Sequence, residues 1–170
     1  REPEVKVLVT GGGGFLGSWI CRQLKIRGDQ PLAYQRSAAP RLEELGIEVL
    51  RGDILDETRL REVLGACDAV IHTAGLAGPW GEAAEYHRIN VEGTRTVLEA
   101  CRATGVRRLV FTSSPSVVHG GEDIEGGDES LPYPDHYLAP YPESKAAAER
   151  LVMTASDGEL ATVSLRPHLV

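Results

Sequence analysis

Cysteine is scarce in this chain of 170 residues, and its three copies, Cys21, Cys67 and Cys101, stand far apart with no Cys-x-x-Cys pair. That argues against a disulfide framework and a structural zinc, and suits a reducing, cytoplasmic compartment. Basic residues are in short supply: 18 Lys and Arg against 25 Asp and Glu leave a net charge of −7, with no basic run. That balance disfavours a nucleic-acid partner or an anionic membrane surface. No apolar stretch approaches the roughly 18–20 residues of a membrane span, and the start, Arg1-Glu2-Pro3-Glu4, does not read as a signal peptide. What remains is 42% hydrophobic and 25% charged, the proportions of a globular domain rather than a disordered chain. One domain is expected over residues 1–170, a length that buries roughly 70% of its unfolded surface.

Apolar runs alternate with amphipathic stretches. Strands are expected at Val5–Thr10, Leu32–Gln35, Glu48–Arg51, Ala69–His72, Arg108–Ser113 and Ala161–Arg166. Between them, helical spacing predicts helices at Phe15–Arg27, Arg41–Leu45, Thr58–Leu64, Ala83–Ala103 and Pro142–Ala155. Asp56 and Thr58 both qualify as the cap of the third helix. This rhythm implies βαβ units, right-handed crossovers and a doubly wound α/β architecture with a parallel sheet. Residues 115–140 break it with four glycines and several prolines, and a loop of that length is often functional.

The first strand runs straight into Gly11-Gly12-Gly13-Gly14-Phe15-Leu16-Gly17, which opens the first helix. In the spacing Gly11-x-x-Gly14-x-x-Gly17, Gly11 permits a tight turn, Gly14 lets backbone approach a pyrophosphate, and Gly17 lets the helix lie close to the sheet. The helix-start amides at Phe15 and Leu16 then face the phosphates. The bland alternative is a flexible turn. Cofactor choice is decided at the end of the second strand, where an acidic residue would bind a ribose 2′-hydroxyl and repel a 2′-phosphate. Gln35 and Arg36 stand there instead, so NADP(H) is favoured and NAD(H) stays admissible. Arg36 facing only solvent is the competing reading. Asp53 and Ile54 fall where an adenine edge would lie, with helix capping equally open to Asp53.

In Tyr141-Pro142-Glu143-Ser144-Lys145, the tyrosine and lysine are four apart and project from one helical face. A phenol that exchanges protons near neutrality needs a neighbouring cation or a helix N-terminus, and this spacing offers both. The fifth strand ends in Thr112-Ser113-Ser114, where a hydroxyl can donate to a substrate oxygen. Ser114 is the first choice and Ser113 the fallback, with plain capping as the alternative. His72 as a metal ligand is disfavoured, because no second ligand is spaced to help it.

Seven segments in order resemble the extended short-chain dehydrogenase/reductase superfamily: Thr10–Gly17, Gly52–Asp56, Ile71–Gly75, Asn90–Thr94, Thr112–Val118, Tyr141–Lys145 and Leu165–His168. TSSPSVVHGG, Leu131–Pro134 and the Arg-Pro-His near the end resemble its 3β-hydroxysteroid and sterol-4-carboxylate dehydrogenase branch. Gly75–Thr94 is similar to the bacterial 2-alkyl-3-oxoalkanoate reductases. The resemblance implies a Rossmann domain in which Ser114, Tyr141 and Lys145 form the catalytic triad. It also implies that Lys145 holds the nicotinamide ribose, that His72, Thr73 and Ala74 line the cofactor, and that the protein pairs as a homodimer through helices 83–103 and 142–155. It implies a small hydrophobic substrate bearing a secondary alcohol or ketone. A nucleotide-sugar epimerase or dehydratase and a non-catalytic cofactor sensor are the alternatives. Asn90 is expected to be structural, and Arg166 either to brace the site or to serve structure alone. Members of the superfamily continue past Arg-Pro-His into a substrate lobe that this sequence does not include. The acidic loop at 115–140 reads as a lid or as a solvated flap, and Leu76–Trp80 as a hydrophobic wall or as plain packing.

Overall fold

Six strands lie parallel in the order β3–β2–β1–β4–β5–β6: β1 Lys6–Thr10, β2 Gln30–Gln35, β3 Glu48–Arg51, β4 Ala69–His72, β5 Arg108–Thr112 and β6 Ala161–Leu165. The computed structural model describes residues 4–78 and 80–168. The readings that involve residues 1–3, Pro79 and residues 169–170 therefore lie outside the described residues. The helices are α1 Phe15–Arg27, α2 Pro40–Glu44, α3 Glu57–Leu64, α4 Ala83–Tyr86, α5 Gly93–Thr104 and α6 Pro140–Thr154. This is the doubly wound sheet expected from the alternation.

Each inner strand is buried on both sides, so its apolar residues split between two cores. Val7 and Val9 of β1 join Cys21 and Leu24 of α1, Ala33 and Leu42 on one face. Leu8 joins Leu60, Leu64, Val97, Leu98, Phe111 and Val152 under α3, α5 and α6 on the other. The first face is incompletely covered. Paired residues run across it as Val49–Ala33–Val9–Ile71–Val110–Val163. Ala33 and Val9 are buried, whereas Val163 is 45% exposed and Leu165, next but one along β6, is 54% exposed.

Two boundaries differ from the sequence reading in ways that matter. The long helix expected at 83–103 is not uniform: α4 passes into a π-helical turn at His87–Glu92 before α5 begins. Such turns widen a helix locally and recur at functional sites. The last helix starts at Pro140 rather than Pro142, so both prolines occupy its first turn, where a missing N–H costs no helical hydrogen bond. Asp56, not Thr58, caps α3 by accepting from the Arg59 amide at 3.0 Å.

The clamp that fixes α6 against β6 is ionic. Glu149 is buried, and Arg166 reaches it from just past β6 with Nη2 at 2.6 Å and Nε at 3.2 Å. Tyr133 and Ser164 also donate to this carboxylate, at 2.6 and 2.9 Å. Of the two roles open to Arg166, this is the structural one. Burial works to raise the Glu149 carboxyl, but the hydrogen bonds from Arg166, Tyr133 and Ser164 outweigh it and hold it at about 2. The folded state therefore prefers the ionised form more than the unfolded chain does. The stabilisation is fully present above the ordinary value of 4.5 and disappears as pH falls through about 2. Glu149→Gln should cost about 2–3 kcal/mol near neutrality, the scale of lost bonds to a charged group. In thermal melts, the gap between variant and parent should close as pH is lowered from 5 towards 2.

Candidate active site

The glycine turn is built by close approach. Gly11 sits at φ +67°, a left-handed conformation that other residues adopt only with strain, and donates its N–H to Tyr34 at 2.8 Å. Gly14 donates back to the Gly11 carbonyl at 2.9 Å. A Cβ on Gly17 would stand 2.2 Å from that same carbonyl oxygen. The expected tight packing at Gly17 is thus against the turn itself rather than against the strands. Gly14 precedes α1 without any side-chain cap, and no acidic residue lies in the first turn. The first amides of α1 are left as free donors beside a partial positive charge, a setting that suits an anion.

A cleft of about 400 Å³ opens over this turn. Of the residues expected to hold a cofactor, Gly11, Gly14, Arg36, Asp53, Ile54, Thr73 and Ala74 line it. Phe15, Leu16, Gly17, His72 and Lys145 are not among its lining residues. The Phe15 side chain is 80% exposed, while Gly17 and His72 are buried. Gly13, Ser37, Ala38, Gly52, Gly75 and Ile89 also line the cleft and were not singled out from sequence. Gly13, Gly52 and Gly75 adjoin Gly14, Asp53 and Ala74, so neighbouring motif residues point to them. Ile89 comes from the π-helical turn and carried no local signal.

Gln35 crosses the cleft. Its Nε2 donates to the Ser37 carbonyl at 2.8 Å, and a Cβ on Gly13 would stand 2.1 Å from its Oε1. That Oε1 is buried and accepts no hydrogen bond among the described residues. Arg36, next to it, is exposed at the rim and makes no ion pair among the described residues. Asp53 does cap its own loop, accepting from the Leu55 amide at 3.0 Å, while its carbonyl accepts from Tyr34 at 2.9 Å. Ile54 covers Gly93 at the start of α5, where a Cβ would come within 2.4 Å of it.

The floor of the cleft is knitted from two strand ends. Thr73 donates its hydroxyl to the Thr10 carbonyl at 2.6 Å, and the Ala74 amide donates to Thr10 Oγ1 at 3.2 Å. Asn90 lies in the π-helical turn and is buried. Its Oδ1 accepts from the Leu76 amide at 2.7 Å, and its Nδ2 donates to the Leu76 carbonyl and to Ser144 at 3.0 and 2.9 Å. Both amide protons are spent on these bonds, which is the structural role expected of Asn90.

At the carboxyl edge of β5, α6 presents Tyr141 in its first turn and Lys145 in its second. The Tyr141 ring packs edge-on against Tyr86, with centroids 6.2 Å apart. Lys145 is only 6% exposed; its Nζ donates to the Thr112 carbonyl at 2.6 Å and lies 4.2 Å above the Phe111 ring. Burial pushes this ammonium down to about 8, with Glu149 acting in the opposite direction. Ser114 Oγ accepts from the Ser116 amide at 3.3 Å and meets Ser116 Oγ at 2.9 Å, so it caps the short turn Pro115–Val118. Ser113 is buried beside Glu149, away from that turn. Among the described residues no hydrogen bond joins Ser114, Tyr141 and Lys145 to one another. Each is held by a different partner around one strand end.

The segment from 119 to 139 carries no helix or strand. Two tyrosines tie it down, Tyr133 at Glu149 and Tyr137 at the Val117 carbonyl (2.8 Å), while Glu122, Asp123, Glu125, Asp128, Glu129 and Asp135 are all exposed. Trp80 is 90% exposed, so its side chain is not packed into the core. No helix among the described residues is long and apolar enough to cross a membrane, and no cluster of metal-ligating side chains occurs among them.

The chain is 48% identical over 168 residues to the 2-alkyl-3-oxoalkanoate reductase of Stenotrophomonas maltophilia, covering 98% of this chain and 51% of that protein. It is 40% identical to the 3 beta-hydroxysteroid dehydrogenase/Delta 5-->4-isomerase of Mycobacterium tuberculosis over 95% of this chain and 46% of the relative. Among solved structures it is similar to MoeE5 in complex with UDP-glucuronic acid and NAD, with a TM-score of 0.82 and 37% identity, covering 95% of this chain and 54% of that one. The chain spans about half the length of the curated relatives it matches. Residues 8–170 match the 3-beta hydroxysteroid dehydrogenase/isomerase family, and the chain belongs to it.

Proposed function

We propose that this chain is the cofactor-binding and catalytic part of an NAD(P)-dependent oxidoreductase that interconverts a secondary alcohol and a ketone on a small hydrophobic substrate. The observation that carries the reading is the juxtaposition at the end of β5. There a buried amine, a first-turn tyrosine and a serine hydroxyl gather at the carboxyl edge of a sheet that carries the glycine turn two strands away, at the end of β1. Ligands of open parallel sheets bind at that edge. The relatives named for acting on 2-alkyl-3-oxoalkanoates and 3 beta-hydroxysteroids support the substrate class.

In this reading the bound dinucleotide supplies or accepts the hydride. Tyr141 Oη exchanges the proton with the oxygen on the reacting carbon, and Ser114 Oγ donates to that oxygen. Lys145, freed from the Thr112 carbonyl, donates to the nicotinamide ribose. The uncapped amides at the start of α1 and Gly14 meet the pyrophosphate. Arg36 favours a 2′-phosphate and hence NADP(H). Gln35 Oε1, a buried acceptor lacking a donor, suits a 2′-hydroxyl and admits NAD(H).

A second reading, a nucleotide-sugar epimerase or dehydratase, draws on MoeE5 and its UDP-glucuronic acid. The six exposed carboxylates between 119 and 139, with no Lys or Arg in that stretch, weigh against so anionic a substrate. The three unpaired cysteines, two of them buried, fit a cytoplasmic setting. Pairing as a homodimer through α5 and α6 is the assembly that the family resemblance implies.

In full-length protein, Tyr141→Phe should lower turnover by roughly 100-fold or more, the scale of general acid–base catalysis. Binding of NADH or NADPH, followed by nucleotide fluorescence, should stay within about twofold of the parent, because the hydroxyl acts on substrate. Retained turnover would remove Tyr141 from the mechanism. Gln35→Asp should move preference towards NADH by ~10–100-fold, as a carboxylate at that position repels a 2′-phosphate. Paired titrations with the two nucleotides measure it, and an unchanged ratio would take Gln35 and Arg36 out of the selection.

A further inference from the structure

His72 is wholly buried, and the proton exchange proposed above does not use it. Both its ring nitrogens are engaged: Nδ1 lies 2.6 Å from Thr10 Oγ1, and Nε2 lies 2.9 Å from Thr94 Oγ1. The neighbours dictate the direction of each bond. The one hydroxyl proton of Thr94 goes to the Asn90 carbonyl at 2.7 Å, so Thr94 Oγ1 accepts from His72 and Nε2 carries the hydrogen. Nδ1 is then an acceptor, filled by the Thr10 hydroxyl, whose oxygen accepts the Ala74 amide. Burial, with the Lys145 charge nearby, pushes the ring down to about 3 and keeps it neutral.

The run does not stop there. The Asn90 side chain holds Leu76 and donates to Ser144, and Ser144 donates to the Tyr141 carbonyl at 2.8 Å. One hydrogen-bonded path thus joins the end of β1, the loop after β4, the π-helical turn and the first turn of α6. An apolar side chain in the place of His72 would leave the Thr10 hydroxyl proton without this acceptor inside the core. The neutral imidazole meets both hydroxyls at once, as a donor at one end and an acceptor at the other, and carries no charge in doing so.

We propose that His72 and Thr94 are positioning residues that lock the glycine turn to the helix carrying Tyr141, setting the register between a bound dinucleotide and the reacting hydroxyl. The proposal rests on the functional reading given above for its cofactor, but the lock itself is measurable without one.

The test compares Thr94→Val, which keeps the shape of the side chain and removes its hydroxyl, with Thr94→Ser, which restores it. Amide hydrogen exchange reads the lock, and titration with NADH and NADPH reads its consequence. In Thr94→Val the Ala74 and Leu76 amides and those of Tyr141 and residues 143–145 should exchange about tenfold faster, beyond any change in the slowest core amides, the scale of one lost buried hydrogen bond. The dissociation constant of the dinucleotide should rise by about the same factor, and Thr94→Ser should return both quantities to within about twofold. Faster exchange confined to α5, or spread evenly through the core, would overturn the proposal, as would a valine variant that binds dinucleotide like the parent. Where the parent binds neither NADH nor NADPH, the cofactor reading fails, and the exchange pattern alone decides the lock. His72→Phe, if it folds, should reproduce the valine pattern.

Discussion

A charged amine is held inside this protein by one backbone carbonyl, and much of the architecture answers to it. Taking the Lys145 ammonium out of water is costly unless its protons and its charge are met. The Thr112 carbonyl takes a proton, the face of Phe111 takes part of the charge, and Glu149 lies one helical turn away. Glu149 is in turn balanced by Arg166 at the end of β6. The register of α6 against both β5 and β6 is therefore set by charge balance as much as by apolar packing. Tyr141, one turn before Lys145, inherits its location from that register.

The second fixed point is steric. At the other strand end the helix α1 starts so close to the glycine turn that a single methyl at Gly17 would collide with the Gly11 carbonyl. Nothing else is needed to leave the first amides of α1 pointing into open space. The cleft lies beside this crowded turn at the end of β1, and the buried amine sits two strands away, at the end of β5. They belong to one protein surface only because β1 and β4, and then β4 and β5, are neighbours in the sheet. The reversal of strand order at β1 and β4 is what makes that edge a crevice rather than a flat rim.

The sheet was legible because parallel strands buried on both faces are short, β-branched and almost unbroken by charge, as in Val5–Thr10 and Ala69–His72. Glu48–Arg51 and Ala69–His72 agree to the residue, and the glycine turn announced itself by composition. Three things were not legible. The π-helical turn holds Asn90 against Leu76 and Ser144, contacts 14 and 54 residues apart, which no local spacing encodes. Ile89 reaches the cleft only because of that turn. The inward turn of His72 is the third: along β4, side chains alternate between faces, and the ring faces α5 and Phe111 while the next residues, Thr73 and Ala74, open onto the cleft. Ser114, Tyr141 and Lys145, the residues proposed to act as a triad, stand out by motif. Their present partners, Ser116, Tyr86 and Thr112, could not be, since two of the three lie on other elements.

The uneven covering of the sheet has a practical side. At β6 the backbone offers donors and acceptors along its outer margin, and Val163 and Leu165 add an oily strip beside them. Bare strand margins of this kind are where proteins stick to one another. Among the described residues, that margin and its apolar strip form the surface through which copies of this polypeptide, handled on its own, are most prone to meet.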